Sequence, residues 1–309
     1  MRHLLDIYSL SSETIKEILE LSENLKEILE RPIPKVPTLR GKLVLLLFYE
    51  PSTRTKFSFE RACKVLSADT MSFSAKGSSL EKGETILDTV KNLYALGVNL
   101  VVIRHNLSGT PHFLAKHLKI PVVNAGDGIH EHPTQALLDM LTVKEKLGTL
   151  AGLKVAIVGD IKHSRVAHSD ILGFQKMGST VYVTGPAHLL PEPKEAEFFE
   201  IRPGGFKICY KMEEALRDAD VVIALRIQRE RHGEPFIPTL QEYAENFGLT
   251  PRHLELIKEG ALLMHPGPIN WGVELSYEME KYPFQVILEQ VENGVAVRMA
   301  VLLRLLSGD

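Results

Sequence analysis

Cysteine is almost absent: Cys63 and Cys209 are the only two in 309 residues, and they stand far apart without metal-ligand spacing. That leaves no basis for a disulfide framework or a cysteine-built zinc site. Neither is a candidate nucleophile, because a lone cysteine among apolar neighbours is ordinarily buried. Long apolar runs are missing too. None reaches the roughly 18 residues a spanning helix requires, and residues 1–6 lack the apolar core of a signal peptide, so a reducing cytoplasm is the expected location. Nor does one sign of charge dominate: 36 Lys and Arg against 39 Asp and Glu give a net -3. No broad basic field is offered to nucleic acid or an anionic membrane, so any anion site has to come from local clusters.

The apolar share is 44%, enough at this length for two modest cores. Short apolar runs alternate with amphipathic stretches, so the predicted fold class is α/β, with mainly parallel sheets covered by helices. Strand cores are predicted at 43–48, 70–74, 100–103 and 122–123, with a helix over 84–96. A second series follows at 154–158, 180–183, 207–209, 221–225 and 261–264. The helical pattern 134–147 runs between the two series and carries the expected domain junction. From 285 to 306, Val286, Leu288, Val291, Val295, Met299, Leu302, Leu303 and Leu306 recur at helical spacing and predict a closing helix. The Pro-, Glu- and Lys-rich stretch 186–205 reads as an exposed connection.

The strongest local signal is Ser52-Thr53-Arg54-Thr55, where a buried strand gives way at once to a helical pattern. Ser52 sits where an N-cap belongs. Amides at a helix N-terminus, three hydroxyls and one guanidinium fork suit a phosphate; an ordinary capped turn with a solvent-facing arginine is the competing reading. The small, polar stretch 74–84 carries Ser78 and Lys82. Lys82 can close over an anion, but nucleotide P-loop spacing is lacking and a solvated loop is the commoner explanation. Arg104 and His105 follow a predicted strand, at the edge where open α/β sheets place ligands.

Asp127, His130, Glu131 and His132 put two histidines and two acids within six residues. Pro133 breaks the run and no helical H-E-x-x-H repeat exists, so no metal is assigned. A neutral His132 donating toward a carbonyl oxygen, with the amide of Gln135 one turn on, suits these residues better. Residues 155–169 look like the first unit of a dinucleotide domain but retain only Gly159 of the three fingerprint glycines, and no acidic residue ends the next strand, so no nicotinamide cofactor is expected. Arg165 stands instead as a candidate carboxylate-binding cation. Arg226 and Gln228 follow another predicted strand, and His265-Pro266-Gly267-Pro268 follow the last.

Taken in order, these motifs resemble the catalytic chains of the aspartate carbamoyltransferase family over essentially the whole sequence. The resemblance implies a carbamoyl phosphate domain, an aspartate domain and a C-terminal helix returning to the first, hence domains of 1–133 plus 285–309 and of 134–284. It implies carbamoyl transfer from carbamoyl phosphate to L-aspartate, in pyrimidine synthesis, without metal or coenzyme. Ser52, Thr53, Arg54, Thr55 and Arg104 would hold phosphate, and Thr55, Arg104 and His132 would polarise the carbamoyl carbonyl. Gln135 and the Pro266 backbone would hold the carbamoyl amino group, beside a cis Gly267-Pro268 bond. Arg165, Arg226 and Gln228 would bind the aspartate carboxylates. Ser78 and Lys82 would reach a neighbouring subunit's site within a homotrimer, and a regulatory chain or a dihydroorotase is a candidate further partner. Trp271 occupies a position where many relatives carry a basic residue. Ornithine carbamoyltransferases share the phosphate motif but characteristically use His-Cys-Leu-Pro and an Asp-containing Ser-Met-Gly loop, where this chain has His265-Pro266-Gly267-Pro268 and the Arg226/Gln228 pair. The residue types agree with the implied chemistry: both substrates are anions, Arg suits planar carboxylates better than Lys, and an attacking amine needs no protein nucleophile.

Overall fold

The computed structural model describes residues 1–74, 85–201, 203–227 and 239–307. Of the predicted site residues, Ser78, Lys82 and Gln228 lie outside these. The chain forms two compact units, Met1–Leu141 with Val291–Asp309, and Thr142–Gln290.

In the first unit, strands β1 (Leu43–Phe48), β2 (Asp69–Ser74), β3 (Leu100–His105) and β4 (Val122–Asp127) form a parallel sheet in the order β2-β1-β3-β4. The run Val44 to Leu47 is 0% exposed, as an unbroken apolar strand must be when helices cover both sheet faces. Each such Leu or Val contributes about 1.5–3 kcal/mol through burial. The helices are α1 (Ser12–Leu29), α2 (Thr53–Val65), α3 (Ile86–Tyr94), α4 (Thr110–His117) and the first part of α5 (Pro133–Leu147). Helix α1 starts at Ser11, whose hydroxyl accepts the Thr14 N–H at 3.1 Å, and it buries Ile15, Ile18, Leu19, Ser22, Leu25 and Ile28 along one stripe.

The second unit carries β5 (Lys154–Val158), β6 (Thr180–Thr184), β7 (Gly205–Cys209), β8 (Val221–Ala224) and β9 (Leu262–Met264), all parallel, in the order β7-β6-β5-β8-β9. Its helices are α6 (Arg165–Lys176), α7 (Pro193–Phe198), α8 (Met212–Leu216) and α9 (Leu240–Phe247). The closing helix α10 (Ile287–Leu306) rejoins the first unit from Val291 onward. It docks on α1 through Arg304 Nη2 and Glu17 Oε2 at 2.6 Å and through Lys26 Nζ and Asn293 Oδ1 at 2.7 Å.

Two local expectations needed correction. β4 runs on past Val123 because its polar end satisfies itself: Asn124 Nδ2 donates to Leu5 O at 2.8 Å and to Asp127 Oδ1 at 2.7 Å. The stretch 186–205 is more than an exposed connection. It holds α7, which starts on Pro193 with reciprocal Glu192 and Glu195 caps, and it buries Leu189, Leu190 and Phe199.

Candidate functional site

In the first sheet β1 is flanked by β2 on one side and β3 on the other, so the chain's connections diverge between β1 and β3. Open α/β sheets bind ligands at the carboxyl ends of such a pair. There Phe48 pairs with Arg104, and the Tyr49 N–H extends the ladder to Arg104 O at 2.9 Å. Ser52 stands at the N-cap of α2 in extended backbone but makes no side-chain cap bond, and no acidic residue occupies the first turn. The Ser52 hydroxyl is therefore not spent on the helix, and the N-terminal amides and dipole are left to favour an anion. Thr53 and Arg54 are exposed and Thr55 is buried.

Arg104 is fixed from two sides: Nη1 donates to Ala125 O at 3.3 Å, and Nε lies 3.5 Å from Glu50 Oε2. Beside it His105 packs on Tyr49, ring centroids 4.8 Å apart. Its Nδ1 accepts the Leu107 N–H at 2.9 Å, and burial lowers its pKa despite the nearby Asp127 and Glu50 charges.

His132 ends the turn between β4 and α5, and Gln135 lies in the first turn of α5. Asp127, 0% exposed, organises that turn by accepting the N–H groups of Gly109 at 2.7 Å and Glu131 at 3.2 Å. Gly128 adopts φ +48, and a Cβ there would lie 2.6 Å from Ser108 N, so only glycine fits. Glu131 in turn holds the N-terminal segment, accepting from Ile7 N at 2.7 Å and Tyr8 N at 3.3 Å. His132 and Gln135 are both buried, and Gln135 N donates to His132 O at 2.9 Å. Gln135 Nε2 donates to Asp139 at 3.1 Å and 3.3 Å, which presents its Oε1 as an acceptor. Asp139 feels the charge of Arg298 in α10, whose Nη1 donates to Ser58 Oγ at 2.9 Å and Gly294 O at 2.8 Å. Burial pulls the Arg298 pKa down to about 10, with Asp139 opposing, so it stays a cation at neutral pH.

In the second sheet the equivalent divergence lies between β5 and β8, where Val158 pairs with Ala224 and Leu225 N reaches Val158 O at 2.9 Å. Gly159, the sole fingerprint glycine, has φ +139, and a Cβ would stand 2.9 Å from Leu225 Cβ. It permits close strand approach. Arg165, 3% exposed, opens α6, whose N-cap Ser164 accepts from Ala167 N at 3.2 Å. Arg226 follows β8 directly and is half-buried. After β9, His265 Nδ1 accepts the Gly267 N–H at 2.7 Å and its Nε2 lies 3.4 Å from Glu274 Oε1. Glu274 also accepts from Asn270 N at 3.0 Å. These bonds shape the loop bearing Pro266, Gly267 and Pro268, and the Gly267-Pro268 bond is cis, as the resemblance implied. Trp271 stacks on Tyr277 at 6.3 Å.

The first unit thus gathers Ser52, Thr53, Arg54, Thr55, Arg104, His132 and Gln135 toward one sheet edge, and the second gathers Arg165, Arg226, Pro266, Gly267 and Pro268. Both cysteines are free and buried, and burial pushes the Cys63 thiol up to about 12, which removes it as a nucleophile. Asp139, Arg298 and Glu274 were given no role from sequence. For Asp139 and Arg298 the available signal was a charged residue set between apolar ones in a buried helix stripe.

Two parallel-sheet units, each with arginines at a strand-order switch, are the architecture of a carbamoyltransferase-type fold. Residues 2–145 match the family described as aspartate/ornithine carbamoyltransferase, carbamoyl-P binding domain, and residues 151–305 match its Asp/Orn binding domain. The chain belongs to the aspartate/ornithine carbamoyltransferase family. It is 53% identical over 307 residues to the aspartate carbamoyltransferase catalytic subunit of Moorella thermoacetica, covering 99% of this chain and 98% of that one. Among solved structures it resembles aspartate transcarbamoylase from Trypanosoma cruzi in complex with carbamoyl phosphate and aspartate, with TM-score 0.89, 28% identity, and 98% and 96% of the two chains covered. It also resembles ornithine carbamoyltransferase from Pyrococcus furiosus, with TM-score 0.90, 30% identity, and 100% and 98% covered. No helix among the described residues is long and apolar enough to cross a membrane.

Proposed function

We propose that this chain transfers the carbamoyl group of carbamoyl phosphate to the amino group of L-aspartate, forming N-carbamoyl-L-aspartate and phosphate for pyrimidine synthesis in a reducing cytoplasm. The observation that carries the reading is the placement of Ser52 to Thr55 and Arg104 at the switch of one sheet, with Arg165 and Arg226 at the switch of the other. One anion-binding set suits a phosphate and the other suits carboxylates.

In this mechanism Ser52, Thr53, Arg54, Thr55 and Arg104 bind the phosphate, with Glu50 holding the Arg104 guanidinium. Thr55, Arg104 and His132 donate to the carbamoyl oxygen as it gains charge. Gln135, its amide oriented by Asp139, accepts from the carbamoyl amino group together with the Pro266 carbonyl, in the loop continued by Gly267 and Pro268. Arg165, Arg226 and Gln228 hold the two aspartate carboxylates, and Ser78 and Lys82 of a neighbouring chain complete the site in a homotrimer. The aspartate nitrogen bonds to the carbamoyl carbon, the bond from that carbon to the bridging phosphate oxygen breaks, and the ammonium proton leaves with phosphate. Alignment and charge stabilisation supply the acceleration.

Purified protein given carbamoyl phosphate should release phosphate in step with N-carbamoylaspartate, one for one, and only when aspartate is present. Release of phosphate that ignores aspartate would overturn the assignment.

A further inference from the structure

The segment Asp127 to His132, read from sequence as too irregular for a metal, acquires a partner in the fold. His112, on α4, joins Asp127 and His130 so that one ring nitrogen from each histidine and one carboxylate oxygen lie within 4.8 Å of one another. The cluster is held from behind. Asp127 is fully buried and fixed by the Gly109 N–H at 2.7 Å and Asn124 Nδ2 at 2.7 Å. One of its oxygens faces His130 Nδ1 at 3.2 Å. His112 Nε2 meets Asp6 Oδ2 at 2.7 Å, and Asp6 is itself braced by the Ser9 N–H at 2.6 Å. A carboxylate behind an imidazole is the arrangement that orients metal-ligating histidines. Both imidazoles are partly exposed, with side-chain exposures of 34% and 37%, which leaves a cation a path in.

We propose that His112, Asp127 and His130 bind a divalent cation of the zinc class, with solvent completing the coordination. Two imidazoles and one carboxylate select zinc, nickel, copper or cobalt over magnesium and calcium, which prefer all-oxygen shells. Bond lengths of about 2.0–2.1 Å bring tetrahedral donors to about 3.3 Å apart, and turning the two part-exposed rings closes that gap without moving Asp127. The cation clips α4 to the turn that leads into His132 and whose Glu131 holds the N-terminal segment. Its role is structural, and no step of carbamoyl transfer passes through it.

The test uses full-length protein stripped with chelator and desalted. Titration with Co2+, followed by its ligand-field absorption, and calorimetry with Zn2+ should give one saturable site per chain, which Mg2+ does not fill. His112→Gln and His130→Gln should each weaken binding by tenfold or more, whereas His117→Gln, which alters an exposed histidine elsewhere on α4, should not. Zn2+ should also raise the thermal midpoint of the wild type, and neither site variant should show the rise. Absence of saturable binding by the wild type, or binding by both site variants as tight as the wild type's, would overturn the proposal and leave a hydrogen-bonded His–Asp cluster.

Discussion

Replacing Arg298 with Met tests whether the buried charges of Arg298 and Asp139 depend on each other and support Gln135 in its proposed role. Methionine fills much of the arginine's volume, so the cavity contribution is small. What is lost is the pair of hydrogen bonds to Ser58 Oγ and Gly294 O and the positive charge that Asp139 feels. Breaking a buried charge pair from one side costs about 3–5 kcal/mol. At an m-value of about 2 kcal/mol/M, the urea midpoint followed by far-UV circular dichroism should fall by about 2 M. Asp139→Leu in the Arg298→Met background removes the stranded carboxylate and should recover most of that loss. Turnover should not recover with it, because Gln135 Nε2 loses the acceptor that orients it. A single variant within about 1 kcal/mol of wild type, or a double variant no more stable than the single, would refute the reasoning.

Arg54→Ala should chiefly lower kcat, since its guanidinium is assigned to the leaving phosphate, while Arg226→Ala should chiefly raise the KM for aspartate, whose carboxylate charge hardly changes; steady-state kinetics on both variants separates the two. His105 is held toward its neutral form by burial, so its contribution to stability is full above the ordinary value of 6.5 and is lost as pH falls through the lowered folded value. His105→Asn should flatten that part of the acid-side decline in urea midpoint, and an unchanged pH profile would contradict it. If the chain forms the proposed homotrimer with sites shared between chains, the inactive Arg54→Ala and Lys82→Ala variants, dissociated and reassociated together, should regain activity in the hybrids; verified hybrids as inactive as their parents would assign Lys82 to its own chain.

The strand cores were legible because β1 and β5 are continuous apolar runs bounded by polar turns, a pattern with few alternative readings. β4 was cut short because Asn124, Gly126 and Asp127 do not look like strand residues until the turn that satisfies them is visible. Helix α7 was hidden by composition: Pro193 and the neighbouring glutamates suggested a linker, yet they are its start signals. Candidate site residues could be picked out in the sequence where charged and hydroxyl side chains follow strand ends, as with Ser52 to Thr55 and Arg104. Supporting groups were not, because Glu50 to Arg104, Gln135 to Asp139 to Arg298, and His265 to Glu274 are relations between side chains that sequence order does not encode. His112 became a partner of Asp127 and His130 only through the packing of α4 beside β4.

The measurement that bears most directly on the central claim is turnover of carbamoyl phosphate with L-aspartate and with L-ornithine, side by side. The overall fold does not choose between them, since TM-scores to the aspartate and ornithine enzymes are 0.89 and 0.90. On the proposed reading Arg165 and Arg226 do choose, because two cations suited to a dicarboxylate would repel the ammonium of ornithine's side chain. The kcat/KM for aspartate should exceed that for ornithine by a factor of about 10⁴ or more. Comparable values, or a preference for ornithine, would contradict that claim.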